Sequence, residues 1–332
     1  MDQEFLKGKV AVVAGSGQGV GRAIAIGLAQ AGAKVVTNNR KPGSTGSAML
    51  TEEQFEKLSE ERKIWYRQVQ DTFNGDAETT AEMIRAKGGE AVSCFADISK
   101  SEEADRLIET AVSTYGKIDI LINVAGAFGM SNIEDITDEL WDMVNNIKPK
   151  GYFYTMRAAI PYMKKQHYGR IINCTSRAFM GDVIKHAEYC AANAGVVGLT
   201  RGAAIELREE GITVNAFGPF AKTRAAYELE AVNLVREDPI LVDQLQGASV
   251  PEFDTTPTPD KVVPFILYLA SDHAEKISGS VFSLSGNSIQ MHREPVVEKM
   301  MVKESQEPWT VEEIIREAPR CVLKDYHSIA DV

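Results

Sequence analysis

A tyrosine and a serine are the residues whose types and spacing best suit proton chemistry. Tyr189 lies in the segment 188–195, and Ser176 precedes it by thirteen residues. A phenol in water keeps its proton until about pH 10, so alone it is a poor acid or base at neutral pH. A hydroxyl donor and a cation beside it stabilise the phenolate and make proton transfer practicable. The pattern therefore predicts that Tyr189 is a general acid or base and that Ser176 supplies the hydroxyl.

The cation is absent from the nearest helical position. The segment 188–195 is typical of the start of a helix, so Tyr189 and the residue four positions later lie one turn apart on one face. That residue is Asn193, which carries no charge. A positive group for Tyr189 must therefore come from another element.

A glycine-rich loop near the start of the chain predicts a nucleotide site. The apolar run 9–14 is typical of a strand buried on both faces, and helical periodicity begins at Arg22. Glycines between such a strand and helix let the backbone approach a pyrophosphate at the helix N-terminus. A plain glycine-rich turn is the alternative interpretation. The residues expected at the cofactor are Gly15, Gly17, Gln18, Gly19, Val20 and Gly21.

The end of the second predicted strand, 33–39, bears on which dinucleotide binds. An acidic residue there would accept from the ribose 2′-hydroxyl of NAD, whereas an arginine suits a 2′-phosphate. The chain carries Asn39 and Arg40 at this point, followed by Lys41. We therefore expect NADP(H) to be favoured, with NAD(H) as the alternative cofactor. A solvated charge cluster at a strand end is the other interpretation.

Strands and helices alternate along the rest of the chain, which predicts an α/β fold with a parallel, doubly wound sheet of about seven strands. Residues 1–292 form the predicted dinucleotide-binding domain, with an insertion at 42–75, a substrate lid at 220–260 and a C-terminal extension at 293–332. Polar and small residues after two further strands are expected at the cofactor: Asp97 and Ile98 near the adenine, then Asn123, Ala125 and Gly126.

The composition argues against several classes of function. A formal net charge of −11 without a compensating basic stripe argues against a nucleic-acid partner. No apolar run reaches the length of about 18 residues that a membrane span needs, and residues 1–9 do not resemble a signal peptide. No cysteine pair has metal-site or redox-motif spacing, so we predict no metal, buried thiols and a cytoplasmic location. The four cysteines are Cys94, Cys174, Cys190 and Cys321.

Taken together, these motifs resemble the short-chain dehydrogenase/reductase family over about residues 5–292. The matching residues are Gly15, Gly19, Gly21, Asp97, Asn123, Ala125, Gly126, Ser176, Tyr189 and Pro219. The resemblance implies a Rossmann-like fold and hydride transfer between a nicotinamide and a ketone or secondary alcohol. It also implies that Tyr189 is the acid or base, that Ser176 holds the substrate oxygen, and that the protein is a dimer or tetramer.

One branch of the family is particularly similar. The insertion after the second strand, and Pro219 with Ala221 and Thr223, resemble the branch containing the hydroxyacyl-CoA dehydrogenase domain of the peroxisomal multifunctional enzyme. Related bacterial reductases, some acting on steroids, belong to it. The branch implies cofactor contacts at Pro219 and Thr223 and a bulky apolar substrate, which is steroid-like or a 3-hydroxyacyl thioester. Aromatic and apolar residues that would suit such a substrate are Phe179, Met180, Phe220 and Tyr227.

The chain departs from the family pattern at two coupled positions. Asn193 stands where the family has a lysine that binds the nicotinamide ribose and supports the tyrosine. Lys148 aligns with the asparagine that the family usually has on the opposite wall. We predict that the two residues have been exchanged, so that Lys148 returns the cation and Asn193 bonds the ribose. A solvated Lys148 is the alternative, and Asn145 or Asn146 could supply the amide if the helix break at Pro149 shifts the register.

Three functions compete at this point. The leading hypothesis is a reductase or dehydrogenase for a small-molecule ketone or alcohol. A cofactor-binding regulatory protein would keep the dinucleotide without the redox chemistry. A dehydratase or isomerase would use Tyr189 without net hydride transfer. Turnover of NADPH with a ketone separates the first hypothesis from the other two.

Overall fold

The structure is a computed structural model that describes residues 4–43, 52–72, 74–129, 131–181, 185–224, 257–293, 295–303 and 307–325. It divides into two compact units, residues 1–292 and residues 293–332. Most of the predicted lid lies outside the described residues, as does Tyr227.

The first unit is built on an eight-stranded sheet in the order β3-β2-β1-β4-β5-β6-β7-β8. Neighbouring strands are parallel except for β8, which pairs antiparallel with β7. The strands are β1 Val10–Ala14, β2 Lys34–Asn39, β3 Ala91–Phe95, β4 Ile120–Asn123, β5 Gly169–Cys174, β6 Ile212–Phe220, β7 Val281–Ser285 and β8 Ser288–Met291.

Helices cover both faces of this sheet. Successive residues of β1 pack alternately into two hydrophobic clusters, with Ala11 and Val13 in one and Val12 in the other, so the strand is buried on both sides. The helices described in the first unit are α1 Gly19–Gln30, α2 Glu52–Glu56, α3 Glu60–Thr72, α4 Ala77–Ala86, α5 Ser101–Tyr115, α6 Asp138–Asn145, α7 Tyr152–Gln166, α8 Ala187–Glu206 and α9 Val263–Ala270.

The predicted doubly wound sheet is confirmed, with three differences in detail. The chain forms an eighth strand, β8, which the sequence analysis did not include. The pair Gly218 and Pro219 predicts the end of the sixth strand, whereas β6 continues through both, because they remain paired with β7. The described part of the insertion contains two helices, α2 and α3, whereas the capping-box pattern at 51–54 predicts one polar helix to about residue 70. Among the described residues, no helix combines the length and apolar character that crossing a bilayer requires.

The strand order reverses between β1 and β4, and this reversal opens a crevice. Strand β1 continues to β2 on one side and pairs with β4 on the other, so the loops after β1 and β4 diverge at the carboxyl edge of the sheet. Ligands of open α/β sheets bind at such a switch point. The fold therefore directs the glycine loop, residues 15–18, and the loop 124–129 towards one crevice.

The described residues of the second unit include one short α-helix, α10 Val311–Glu317. Thr310 and Glu313 form a capping box, in which each side chain accepts from the other residue's backbone N–H. Val311 and Ile315 are 67% and 69% exposed, and Ile314 is 42% exposed.

Candidate active site

A cavity of about 530 Å³ occupies the crevice between the ends of β1 and β4. The loops after β1, β2, β3, β4, β5 and β6 all contribute to its wall. The predicted site residues that line it are Gly15, Gly17, Gln18, Gly19, Val20, Gly21, Asn39, Arg40, Asp97, Ile98, Ala125, Gly126, Lys148, Ser176, Tyr189, Pro219 and Thr223. Asn123 and Asn193 do not appear in that wall.

The glycine loop has no room for side chains where it passes β4. A Cβ atom at Gly15 would lie 2.4 Å from the Ala125 nitrogen, and Gly15 has a φ of +87°, in the left-handed region. A Cβ atom at Gly21 would lie 2.1 Å from the Gly15 oxygen. These two glycines therefore let the loop, the strand end and the first turn of α1 lie against one another.

The N-terminus of α1 is suited to an anion. Its first turn contains no acidic residue, and the cap residue Gln18 makes no side-chain capping bond. Backbone N–H groups and the helix dipole at such an end favour negative charge. Because Gln18, Gly19 and Val20 line the cavity, these residues fit the pyrophosphate of a dinucleotide.

Two asparagines organise the end of β2. Asn39 Oδ1 accepts from the Ala77 nitrogen at 2.8 Å, and Asn39 Nδ2 donates to the Lys41 oxygen at 3.0 Å. Asn38 is buried, and its Oδ1 accepts from the Gly15 nitrogen at 3.2 Å. Asn38 is a residue that sequence reasoning missed, because nothing in its strand indicates that it holds the glycine loop.

Asp97 shapes the turn after β3. Its Oδ1 accepts from the Ser99 nitrogen at 3.1 Å and from the Ser99 hydroxyl at 2.6 Å. Its own nitrogen donates to Glu103 Oε2 at 2.7 Å. The carboxyl therefore fixes the turn that carries Ile98 to the cavity wall.

Lys148 enters the cavity from an interruption between two helices. Residues 146–151 form one wide turn between α6 and α7, and Lys148 within it has an extended backbone, with φ −125° and ψ 132°. The helix break predicted at this point is confirmed. Proline at 149 disfavours helical geometry in the residue before it, which explains the extended conformation. Missing side chains make room for the turn: a Cβ atom at Gly126 would lie 2.9 Å from Lys148 Cε, and one at Gly195 would lie 2.9 Å from Pro149 Cγ.

The ammonium group of Lys148 is held inside the protein. The residue is 3% exposed, and its Nζ donates to the Cys174 oxygen at 2.7 Å and to Asn193 Oδ1 at 3.3 Å. Nζ also lies 6.0 Å from the centre of the Tyr189 ring and 5.6 Å from the centre of the Tyr152 ring. The structure therefore brings Lys148, Asn193 and Tyr189 together.

Asn193 faces Lys148 from α8 rather than lining the cavity. Besides accepting from Lys148, it donates from Nδ2 to the backbone carbonyl oxygen of Tyr189 at 2.8 Å, and it is fully buried. Its amide is therefore engaged on both sides by protein atoms. Asn145 and Asn146 do not line the cavity: the first donates to the Trp141 oxygen at 3.0 Å, and the second accepts from Lys150 at 3.1 Å.

Ser176 and Tyr189 both line the cavity, on elements that adjoin β5. Ser176 directly follows Thr175 at the end of the strand, and its hydroxyl accepts from the Ala178 nitrogen at 3.3 Å. Tyr189 is in the first turn of α8, and its ring lies 5.7 Å from that of Phe128. The arrangement can hold a substrate oxygen between a hydroxyl and a phenol.

Asn123 belongs to a buried network behind the cavity. Its Nδ2 donates to Asn173 Oδ1 at 2.9 Å, and its Oδ1 accepts from the Thr155 hydroxyl at 2.8 Å. Asn173 in turn donates to the Thr200 hydroxyl at 3.1 Å. The side chain predicted to contact the cofactor is thus engaged between β4, β5 and two helices.

Burial perturbs two titratable groups beside Lys148. It raises the pKa of the Tyr152 phenol well above its usual value, and the Tyr152 hydroxyl donates to the Ala125 oxygen at 2.8 Å. Burial also raises the pKa of the Cys174 thiol, against the opposing effect of Lys148. Both groups stay neutral at pH 7, so they present dipoles rather than negative charges to the ammonium group.

Several lining residues were not identified from the sequence. Arg224 is 7% exposed and follows Thr223 directly, so a third cation joins Arg40 and Lys148 at the wall. Among the described lining residues Asp97 supplies the one carboxyl group, which makes the cavity cationic in an acidic protein. The apolar additions are Phe128, Met143 and Ile147.

Of the apolar residues expected near the substrate, Phe220 lines the cavity. Phe179 packs instead against His292, with ring centres 5.0 Å apart. Met180 is 38% exposed and does not line the cavity. The apolar wall is therefore built mainly by residues that no local pattern singled out.

Comparison with known proteins agrees with this geometry. Residues 67–229 match the family model described as short chain dehydrogenase. The chain is 32% identical over 286 residues to a 3-oxoacyl-[acyl-carrier-protein] reductase of Synechocystis sp., covering 86% of this chain and 98% of that protein. It is 29% identical over 307 residues to peroxisomal multifunctional enzyme type 2 of Mus musculus, covering 92% of this chain and 36% of that much longer protein.

A solved structure is similar over nearly the whole chain. The crystal structure of a short chain dehydrogenase from Mycobacterium avium aligns with a TM-score of 0.71 and 29% identity, covering 93% of each chain. The sheet order, the glycine loop, and the serine and tyrosine at one cavity are thus accompanied by similarity in sequence and in fold. The chain belongs to the short-chain dehydrogenase family.

Proposed function

We propose that the chain is an NADP(H)-dependent oxidoreductase that interconverts a ketone and a secondary alcohol on a 3-hydroxyacyl-type substrate. The observation that carries the proposal is the buried Lys148 ammonium group beside Tyr189 in a cavity that Ser176 also lines. The substrate class is supported by the apolar part of the wall. It is also supported by two relatives, one named a 3-oxoacyl reductase and the other a peroxisomal multifunctional enzyme.

The cofactor would lie along the crevice. The α1 N-terminus would hold the pyrophosphate, Arg40 a 2′-phosphate, and the turn at Asp97 and Ile98 the adenine. When bound, a nicotinamide supplies or accepts the hydride. The cationic wall favours a ligand that carries several phosphate charges.

The protein's own residues would handle the proton. In the reducing direction, Ser176 donates a hydrogen bond to the substrate carbonyl oxygen, and the Tyr189 phenol gives its proton to that oxygen as the alcohol forms. The phenolate left behind gains from a positive charge nearby. Lys148 provides that charge, because its ammonium group lies 6.0 Å from the ring centre and is shielded from solvent.

The exchanged pair then acts as one unit. Asn193 accepts from Lys148 and holds the Tyr189 backbone, so it positions the ammonium group relative to the phenol. In this proposal Asn193 supports Lys148 and is not a direct ribose ligand, in contrast to the role expected from the sequence. The Cys174 carbonyl completes the ammonium site.

Turnover of NADPH with acetoacetyl-CoA, a short 3-oxoacyl thioester, tests the proposal. We expect Tyr189→Phe to abolish turnover, because the phenol is the proton donor. We expect Lys148→Ala to lower kcat by about 10²-fold or more, as is usual when an acid or base loses its support. Stopped-flow absorbance at the NADPH band measures both. A wild-type rate in Lys148→Ala would contradict the role of Lys148, and normal turnover in Tyr189→Phe would contradict the proposed chemistry.

A further inference from the structure

A buried carboxyl group lies next to Tyr189 but does not line the cavity. Glu188 is 0% exposed, in the first turn of α8. Its Oε1 accepts from the Gly129 nitrogen at 3.1 Å, and its buried Oε2 has no hydrogen-bond partner among the described residues. Burying an acid in this way is costly, whereas an apolar residue would carry no such cost. A residue whose burial costs free energy, beside a candidate active site, indicates that its hydrogen bond has a function.

That bond ties the loop after β4 to the start of α8. Residues 124–128 of this loop line the cavity, and Gly129 directly follows them. A second bond, from the Ser131 nitrogen to the Lys185 oxygen at 3.0 Å, joins the same two segments. Gly129 is therefore bonded to α8, and Ser131 is bonded to the segment that directly precedes α8. Helix-end charge supports the arrangement, because an acidic group in a first turn interacts favourably with the helix dipole.

The residue that this attachment places is Phe128. Its ring lies 5.7 Å from the Tyr189 ring and 5.8 Å from the His186 ring, and it lines the cavity. Its neighbour Gly129 lies close to α6, since a Cβ atom there would lie 2.6 Å from the Leu140 side chain. The loop is thus packed on one side and hydrogen-bonded by Glu188 on the other.

We propose that Glu188 is a positioning residue for substrate selection: its carboxyl group holds Gly129 and thereby fixes Phe128 as the apolar wall next to Tyr189. This inference rests on the proposed function. Glu188 acts through Phe128 and touches no reacting atom. It sets how a substrate's apolar part meets Tyr189, and it leaves the cofactor end of the crevice unaffected.

A matched pair of substitutions isolates the bond. Glu188→Gln keeps an oxygen acceptor for Gly129 and removes the charge, whereas Glu188→Met keeps an unbranched chain without any acceptor. With acetoacetyl-CoA and NADPH, we expect Glu188→Met to raise KM about tenfold while kcat stays within about threefold and the Kd of NADPH within about twofold. We expect Glu188→Gln to keep KM within about threefold of the wild-type value. Glu206→Leu, at an exposed position of the same helix, controls for the replacement of one glutamate of α8 by an apolar residue.

A double-mutant cycle tests the route through Phe128. If Glu188 acts by placing that ring, Glu188→Met adds little to KM in a Phe128→Ala background. If the effects of Glu188→Met and Phe128→Ala on KM multiply independently, the proposal is overturned. A loss confined to kcat would also overturn it, because that result indicates that Glu188 takes part in the chemistry. An equal loss in Glu188→Gln and Glu188→Met would also overturn it.

Hydrogen exchange keeps the inference testable without turnover. In the ligand-free protein, we expect amide exchange in residues 124–132 to become about tenfold faster in Glu188→Met and to stay at the wild-type rate in Glu188→Gln. Glu188→Ala serves as a second acceptor-free variant if the methionine variant does not fold. Unchanged exchange in a folded acceptor-free variant overturns the positioning role. Absence of wild-type turnover would instead count against the proposed function.

Discussion

At the scale of single residues, the proposed chemistry depends on the position of the Lys148 ammonium group. Lys148 lines the cavity and donates to Asn193, which lies behind the cavity wall on α8. A lysine in the family's usual place would have extended from α8, on the helix that carries Tyr189. Here the charge comes from the opposite wall, and the helix contributes the neutral partner. In the proposed function, the same two residue types would serve one phenol from exchanged positions.

Restoring the family's arrangement is a direct test of that exchange. We expect Lys148→Asn alone to lose about 10²-fold in kcat, because the phenolate loses its cation. Adding Asn193→Lys should recover about tenfold of that loss, since an ammonium group returns from the other wall. Asn193→Lys alone should reduce activity, because two cations then repel each other in one buried site. Steady-state kinetics of the four proteins measures the coupling, and strictly multiplicative effects would contradict it.

Cofactor preference is a second prediction at the residue scale. Arg40 lines the cavity beside Asn39, and a guanidinium group pairs strongly with a 2′-phosphate. We expect NADPH to bind more tightly than NADH, and we expect Arg40→Asp to reduce the affinity for NADPH about tenfold or more. Isothermal titration with both cofactors measures the two constants. Lys276→Asp, a cation outside the cavity wall, controls for net charge, and tighter binding of NADH by the wild type would refute the prediction.

At the scale of elements, the turn between α6 and α7 is what carries Lys148 to the site. It needs a proline to end the helix, an extended residue before it, and glycines opposite to accommodate both. Gly195 on α8 is the glycine beneath Pro149. The helix that bears Tyr189 can therefore pack closely against the turn that bears Lys148, because Gly195 has no side chain.

Two glycines of α8 give a matched test of that fit. Gly195→Ala places a methyl group 2.9 Å from the rigid Pro149 ring, so we expect lower stability and a kcat reduced about tenfold. Gly198→Ala meets no atom within 4 Å, so we expect a gain of up to about 1 kcal/mol from helix propensity. Thermal unfolding and steady-state kinetics check both variants. A neutral Gly195→Ala would show that the turn can move without consequence for Lys148.

Local pattern was enough for most elements and insufficient for contacts between distant elements. The glycine loop, the buried strands and the break at Lys148 each follow from neighbouring residues, and the structure has them where periodicity predicts. Strand β8 was missed although Gly286 and Asn287 between two short apolar runs are a recognised hairpin signal.

The rest of the site depends on tertiary packing. The direction of the Lys148 side chain depends on Gly126, which lies in a different loop. Phe128 and Arg224 reach the wall through loops whose paths no local pattern specifies. Asn123 is the last residue of the buried strand β4, yet its amide donates to Asn173 and does not line the cavity. Residue type and spacing therefore identified the chemistry, while the lining needed the folded chain.

At the scale of the whole molecule, two units of unequal size share one chain. The larger carries every described residue of the candidate site, and the smaller is a short capped helix with an apolar stripe at Val311, Ile314 and Ile315. An exposed apolar stripe on an amphipathic helix favours a surface to cover. We propose that the extension affects substrate affinity or oligomer assembly.

Removing the extension tests its role. We expect deletion of residues 300–332 to leave the first unit folded, because that unit has its own core and sheet. We expect a changed KM for acetoacetyl-CoA, by about threefold or more, or a smaller oligomer. Circular dichroism, light scattering after size-exclusion chromatography, and steady-state kinetics measure the three properties. A truncated protein with the full-length KM and oligomer size would remove the proposal.

The buried amides of Asn123 and Asn173, behind the cavity, also help to fix the register between β4 and β5. Asn123 lies directly opposite Asn173 in the pairing of β4 with β5, among interchangeable apolar neighbours such as Ile122 and Ile172. A slip of one residue would keep apolar contacts between the strands. It would break the hydrogen bond between these two buried amides, at a cost of about 1–3 kcal/mol. One hydrogen-bonded pair thus distinguishes the native register from registers shifted by one residue. That register also sets where Ser176, three residues after Asn173, lies along the strand direction.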